Sequence, residues 1–310
     1  VRDLKNYWQS GKEGIQQRNY NISWYNNPYF IAYEYLRSYD KSNTFGNASV
    51  SYEFLPGLTG KVVSGVNSWS LFRDYKIPKS FMGYSSKSNG DYSLQNTTYF
   101  DINTTASLVY ERIFSPDFRL KAEGGYINYY SNQRYSTSST DGLTIPGFYS
   151  LSNSINNVTS SSTLTKWATN SFYGYLDFDI FKAGHLSVTG RNDKTSTLPI
   201  KNNSYFYPSV TGSLVISDMA KLPDWLTYAK VRGGYMEGRT GLGPNGVYSF
   251  ITAYSSGTKW GNAACVSYSS AFIGSNIKSQ LEQSWEVGSE LRFFHNRIDL
   301  DATYYNTLIS

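Results

Sequence analysis

The sequence predicts an all-β chain forming an antiparallel transmembrane β-barrel wall of about ten strands, with short periplasmic turns at one end and long extracellular loops at the other. Three observations support this. Apolar and polar residues alternate with period 2 in segments along the whole chain, charges keep to one phase of that alternation, and rings on the other phase gather near the segment ends. Of the 310 residues only 16% are charged and 17% are aromatic, whereas soluble domains carry about 25% charged residues. Tyr, Gly, Ser, Thr and Asn favour strands and turns over helices.

Composition also excludes several classes. Mean hydropathy is −0.44, and no run of about 18 apolar residues supplies a transmembrane helix. Cys265 is the single cysteine, so no disulfide forms within the chain. The net charge of +5 is dispersed without a Lys/Arg cluster, which gives no footprint for nucleic acid. The opening residues, "VRDLKNYWQSGKEGI", contain no apolar signal-peptide core.

Five hairpins follow in order. The first pairs 47–54 with 58–67 around Leu55-Pro56-Gly57, and the second pairs 100–112 with 118–128 around Ser115-Pro116-Asp117. The third joins 171–181 to 185–193 through Lys182-Ala183-Gly184, and the fourth joins 205–217 to 225–235 through "SDMAKLPDW". The last is "SWEVGSELRFFHNRIDLDATYY", 284–305. Pro, Gly, Asn and Asp supply the turn chemistry. The other connections, 68–99, 129–170, 194–204 and 236–280, preceded by 1–46, read as long Ser/Asn/Gly/Tyr-rich loops.

The placement of charge separates a membrane wall from other sheets. In the last hairpin the apolar phase carries Trp285, Val287, Leu291, Phe293, Ile298, Leu300 and Tyr304. The opposite phase carries the expected lumen charges Glu286, Glu290, Arg292, Arg297, Asp299 and Asp301, joined by Asp177 and Asp179 in the third hairpin. An Arg or Lys on a lipid face costs roughly 2–4 kcal/mol at the midplane, which explains the exclusion. Near the short turns the apolar phase has Phe54, Tyr110, Phe118, Phe178, Trp225 and Phe293; near the long loops it has Phe100, Tyr126, Phe172, Phe206, Tyr235, Trp285 and Tyr304. Two aromatic girdles around an aliphatic band mark a bilayer-spanning barrel.

Longer stretches then resemble a known family. "GRNDKTSTLPIKNNSYFYPSVTGSLVISD" (190–218), "WLTYAKVRGGYMEGRTG" (225–241) and "NIKSQLEQSWEVGSELRFFHNRIDLDATYYN" (276–306) are similar to the SusC/RagA family of TonB-dependent outer-membrane transporters of Bacteroidetes. The matching residues include Arg191 and Asp193; Phe206, Pro208, Ser209 and Val210; Lys230, Arg232 and Gly234; Glu286 and Gly288; and Phe293, Phe294, Asn296 and Arg297. Ser279 and Gln280 depart from the Pro-Glu common in the family, and Lys194 from its Gly. The resemblance implies a barrel of about 22 strands enclosing a plug. It also implies import of an oligosaccharide or oligopeptide, a SusD-like surface lipoprotein as lid, and drive from TonB with ExbB and ExbD. No plug-like region is legible and the sequence stops at "NTLIS". The chain is therefore expected to be one partial barrel domain, 1–310, without the plug and the TonB-contacting segment.

Chemistry is expected to be absent: no enzyme, cofactor or metal. His185 and His295 read as turn residues without metal-ligand spacing. The carboxylate pairs Asp177/Asp179 and Asp299/Asp301 could hold a cation or do acid–base work, but they read as wall charges paired with Arg119, Arg292 or Arg297. "TGLGPNG" (240–246) follows no strand that leads into a helix, so it is not a phosphate cradle. Substrate contacts are expected in the loops, at Phe148, Tyr149, Tyr248, Tyr254 and Trp260, where rings sit beside amides and hydroxyls. Two alternatives stand beside the importer reading: a closed passive porin of about ten or twelve strands, with 45–54 paired to 297–306, and a soluble β-sandwich adhesin or glycan-binding module burying Trp285, Phe118 and Tyr304.

Overall fold

A computed structural model describes residues 3–20, 25–83, 87–243, 246–251, 254–257, 260–261, 263–268 and 276–310. The alternating segments become strands β1 (Leu36–Leu55), β2 (Leu58–Ile77), β3 (Asp91–Ser115), β4 (Phe118–Ser139), β5 (Thr159–Ile180), β6 (Gly184–Thr195), β7 (Ser204–Val215) and β8 (Leu226–Thr240). Short strands β9 (Ser255–Ser256) and β10 (Val266–Ser267) precede β11 (Gln280–Phe293) and β12 (Ile298–Ile309). One helix, α1 (Pro28–Glu34), starts before β1; Asn27 caps it by accepting from the Tyr29 amide at 2.9 Å, with Pro28 in the first turn. Among the described residues no helix is long and apolar enough to cross a membrane.

The ten long strands form one sheet in the order β1-β2-β3-β4-β5-β6-β7-β8-β11-β12, a meander in which each strand lies beside its sequence neighbour. Register keeps like with like. Along β11 and β12, Val287 faces Tyr304, Ser289 faces Ala302, Leu291 faces Leu300 and Phe293 faces Ile298. Between them Glu290 faces Asp301 and Arg292 faces Asp299. The same rule holds for β5 and β6, where Leu176 meets Val188 and Asp179 meets His185. A slip of one residue would exchange the faces throughout, so each pair fixes the next.

Rings on the apolar face meet across strands. Trp225 stacks on Phe293 at 6.0 Å with planes 4° apart, Phe118 lies 6.4 Å from Phe178, and Trp285 lies 5.4 Å from Tyr304. Trp285 remains 43% exposed and Tyr304 64% exposed, which removes the sandwich reading, since that fold would bury them between two sheets. β1 and β12 stand at opposite ends of the sheet order; among the described residues the pairing that would close a ten-stranded barrel is not found.

The structure corrects the loop boundaries. Segment 68–99 contains the end of β2 and the start of β3; 129–170 contains Asn132–Ser139 of β4 and Thr159 onward of β5; and β1 already begins at Leu36. β1 to β5 are 20, 20, 25, 22 and 22 residues long, whereas about 9–11 suffice to cross a bilayer. In the surplus the outward phase changes to Ser, Thr and Asn, as at Ser42, Thr44, Ser68, Ser70 and Thr98. Hydrophobic alternation ends there, but backbone pairing with the next strand continues. Arg297, expected on the polar wall, stands in the four-residue turn after β11, and His185, expected in a turn, lies on β6.

Two compact units divide the chain: one comprises Val1–Phe45, Asn67–Asp101 and Asn132–Thr165, the other Gly46–Val66, Ile102–Ser131 and Lys166–Ser310. The first has fully buried Phe30 and Leu143, with Gln17 and Asn27 buried beside α1. There the Gln17 amide donates to the Ser80 carbonyl at 2.6 Å, and Asn27 donates to the carbonyls of Leu4 and Arg18. The second contains the short turns, which are tied to each other. The Glu111 amide donates to the Gly57 carbonyl at 2.8 Å, Phe181 to Asp117 at 2.7 Å, Val215 to Ala183 at 2.8 Å and Phe294 to Trp225 at 2.9 Å.

Gly57 turns between β1 and β2 at φ +80°, and a Cβ there would lie 2.3 Å from the Glu111 carbonyl oxygen. Gly57→Ala is expected to destabilise the full-length protein by about 1–3 kcal/mol. The denaturant midpoint of protein refolded into detergent measures this. Gly46→Ala, which meets nothing within 4 Å, should leave the midpoint unchanged or raise it.

Candidate functional site

The polar face of the second unit is built from one phase of each strand, so its side chains form rows along neighbouring strands. At the short-turn end Arg119 lies 3.6 Å from Glu111 and 3.4 Å from Asp179. His185 sits between two carboxylates, with Nδ1 2.7 Å from Asp179 and Nε2 3.3 Å from Asp177. Tyr175 donates to Asp177 as well. Asp177 and Asp179 are thus held by Arg119 and His185. The histidine was missed because turn residues Lys182 and Ala183 hid its place on the β6 ladder; its odd-numbered phase, shared with Ser187, Thr189 and Arg191, was the signal.

Further along, Arg191 donates to Asp193 at 2.7 Å and to Ser171 at 3.1 Å, while Tyr207 donates to the other Asp193 oxygen at 2.8 Å. Asp193 is only 7% exposed, so both of its oxygens are satisfied by this net. Tyr173 donates to Glu123 at 2.7 Å. Lys121, Glu123, Tyr173, Thr189, Arg191 and Tyr207 border a depression of about 710 Å³ on the polar face.

On β8, β11 and β12, Arg232 makes a forked contact with Asp301 at 2.6 and 3.2 Å and also donates to Thr303 at 2.7 Å. Arg292 donates to Glu290 at 2.6 Å, approaches Asp299 at 3.8 Å and lies 4.7 Å over the Tyr228 ring. The partner of Asp301 is therefore Arg232, not Arg297. Glu286 stands opposite Tyr305 and Gly234 on the same face. Water-exposed pairs of this kind contribute about 0–1 kcal/mol each. Their main effect is on register and on the sign of the local field. Among the described residues no group of three His, Cys, Asp or Glu side chains could hold a metal.

The loop candidates fall in different units. In the first, Asn153 ties its loop by donating to the carbonyls of Ile145 and Phe148 at 2.8 and 2.7 Å and accepting from the Ile145 amide at 3.1 Å. That tie presents Phe148, 56% exposed. Tyr149 lies 6.2 Å from the Tyr92 ring, and burial, with the nearby Glu34 charge, pushes its phenol above the ordinary value. Lys87 pairs with Asp141 at 2.5 Å in the same loop region. In the second unit, Tyr248 has φ +65° and is exposed, Tyr254 meets Tyr268 edge-on at 5.6 Å, and Trp260 is 85% exposed beside its bridge to Ala263.

No family model matches the chain. A curated relative, "TonB-dependent receptor P3" of Formosa agariphila, is 24% identical over 292 residues, covering 90% of this chain and 28% of that protein. A chain in the structure of the RagAB peptide transporter superposes with TM-score 0.80 at 17% identity, covering 95% of this chain and 33% of its own. The fold is a barrel segment of the SusC/RagA type found in TonB-dependent transporters. A RagAB importer structure in the "closed-closed" state gives 0.81, again over 33% of its chain. The segment spans less than a third of the curated relative's length. Both relatives are named as receptor or transporter, neither as an enzyme.

The Lys87–Asp141 contact carries a pH signature. The hydrogen bond from Lys87, followed by that from Asn156, holds the Asp141 carboxyl below its ordinary 3.8, and the same contact holds Lys87 above its ordinary 10.5. The depressed acid contributes fully above 3.8 and loses its contribution as pH falls through its lowered value; the raised amine contributes below 10.5 and loses it above. A spin label at Ser152 should therefore show constant mobility between those limits and greater mobility beyond either. Lys87→Met should abolish the difference, as read by electron paramagnetic resonance.

Proposed function

We propose that this segment forms part of the wall of an active importer in the outer membrane of a Gram-negative cell, taking up an oligosaccharide or oligopeptide. The sheet order carries this reading: ten strands run as a meander from β1 to β12, with one face apolar over its central stretch and a charged polar face, on a fold covering a third of a RagAB chain. Unpaired strand edges do not stand in lipid, so further strands of the whole protein close the barrel. Phe118, Phe178, Trp225, Trp285, Phe293 and Tyr304 then sit at the two interfaces, and the face bearing Asp177, Asp179, Glu286, Glu290, Arg292, Asp299 and Asp301 lines a watery lumen around a plug.

In this reading TonB with ExbB and ExbD drives transport through the part of the protein outside this segment. A SusD-like lipoprotein covers the long-loop end, and Phe148, Tyr149, Tyr248, Tyr254 and Trp260 contact cargo there. The complex named RagAB, a peptide importer, supports a two-protein arrangement. A passive pore would need a lumen open without energy. Cells expressing the full-length protein should take up a labelled oligosaccharide or oligopeptide, and uptake should stop when an uncoupler collapses the proton gradient. Uptake that persists with the uncoupler would establish the pore instead.

The faces can be tested separately. Val188→Arg, on the apolar phase of β6, should lower folding free energy in lipid bilayers by about 2–4 kcal/mol. Thr189→Arg, one residue on and facing the lumen, should change it by less than about 1 kcal/mol. Equal losses for the two would sink the membrane assignment.

A further inference from the structure

We propose that the polar face of β1–β3 within the first unit binds an acidic oligosaccharide, a chain of sugar rings bearing carboxylate or sulfate groups. The proposal rests on the importer reading and narrows its cargo. It concerns the part of these strands that sequence reading had assigned to loops.

Three cations and several rings share one phase here. Arg37 and Lys41 alternate on β1, Trp69 and Arg73 stand on β2, and Tyr99 on β3. Contacts join all of them but Arg73, which is placed by its phase on β2. Lys41 Nζ lies 5.4 Å from the Trp69 ring centre, and Trp69 stacks on Tyr99 at 5.2 Å with planes 18° apart. The Arg37 guanidinium lies 5.5 Å from the Tyr75 ring and 4.3 Å from Tyr35. On each strand this phase is opposite in number to the apolar one of Val50, Val66 and Phe100.

Carboxylates are sorted away from it. Asp40 and Asp74 occupy the other phase, where Asp74 accepts from Ser38 and pairs with Lys76 at 3.4 Å. The two carboxylates that share the cationic phase are engaged. Asp101 accepts from Asn67 at 3.0 Å, and Asp91 accepts from Thr140 and from the Tyr92 amide. Among the described residues no ion pair neutralises Arg37, Lys41 or Arg73, although the ion pairs Lys76–Asp74 and Lys87–Asp141 form in the same unit. The result is a face with positive charge, ring faces and no competing anion.

Ring chemistry favours sugar over peptide. Flat aromatic faces cover the C–H faces of pyranose rings, and fixed cations between them take the acidic substituents. A peptide is held chiefly by strand addition at an edge or by side-chain pockets. On this face the backbone groups are spent in the ladder.

Titration calorimetry on the purified full-length transporter tests the proposal. The probes are an oligogalacturonate, a sulfated galactan oligosaccharide, a malto-oligosaccharide of equal length and an oligoglutamate. At least one acidic sugar should bind, more tightly than the malto-oligosaccharide and the oligoglutamate. The triple change Arg37→Gln, Lys41→Gln, Arg73→Gln should weaken it by about tenfold or more and flatten its salt dependence. Trp69→Ala should also weaken it, whereas Lys76→Gln on the opposite phase should not. Equal binding of the neutral sugar, preference for oligoglutamate, binding of none of the four, or indifference of the triple variant overturns the proposal. Gradient-dependent uptake of other cargo in the same triple variant would leave the importer reading standing.

Discussion

Everything in this wall depends on lateral pairing of backbone amides and carbonyls. A strand facing lipid on one side has no water to satisfy them, so each N–H and C=O must find the next strand. That requirement produces ten long neighbours in sequence order and turns held by left-handed residues such as Gly57. It also produces hydrogen bonds from each short turn to the neighbouring turn or strand, as from Phe181 to Asp117 and from Glu111 to Gly57. Because side chains alternate across a paired ladder, the same bonding separates an apolar face from a charged one without further instruction.

Charge then works within the geometry that the ladder provides. Asp179 is shared by Arg119 and His185, Asp301 is forked by Arg232, and Asp193 is enclosed by Arg191 and Tyr207. None of these pairs need contribute much on a solvent-exposed face. Together they neutralise the charges they join, while Arg37, Lys41 and Arg73 on β1 and β2 of the first unit carry no ion pair among the described residues. Rigidity of the loop around Asn153 comes from side-chain-to-backbone bonds instead, which substitute for the missing ladder.

Much of this was legible in particular residues. The rows Trp285, Val287, Leu291, Phe293 and Ile298, Leu300, Tyr304 were legible as one face of a hairpin, and the structure pairs Val287 with Tyr304, Leu291 with Leu300 and Phe293 with Ile298. The strand extensions were not legible: Ser42, Thr44 and Ser70 carry no hydrophobic contrast, and polar alternation looks like a loop. His185 reads as a turn residue from sequence although it opens the expected strand 185–193; the β6 ladder starts one residue earlier, at Gly184.

Sequence alone determined the fold class and the separation of an apolar from a charged face, because these follow from period-2 alternation. Tertiary structure alone decided which opposite charges meet, as with Arg232 rather than Arg297 for Asp301, and that Lys41, Trp69 and Tyr99 form one surface. Those outcomes depend on the stagger between strands. Stagger is set by hydrogen-bond register between segments distant in sequence, and no local pattern encodes it.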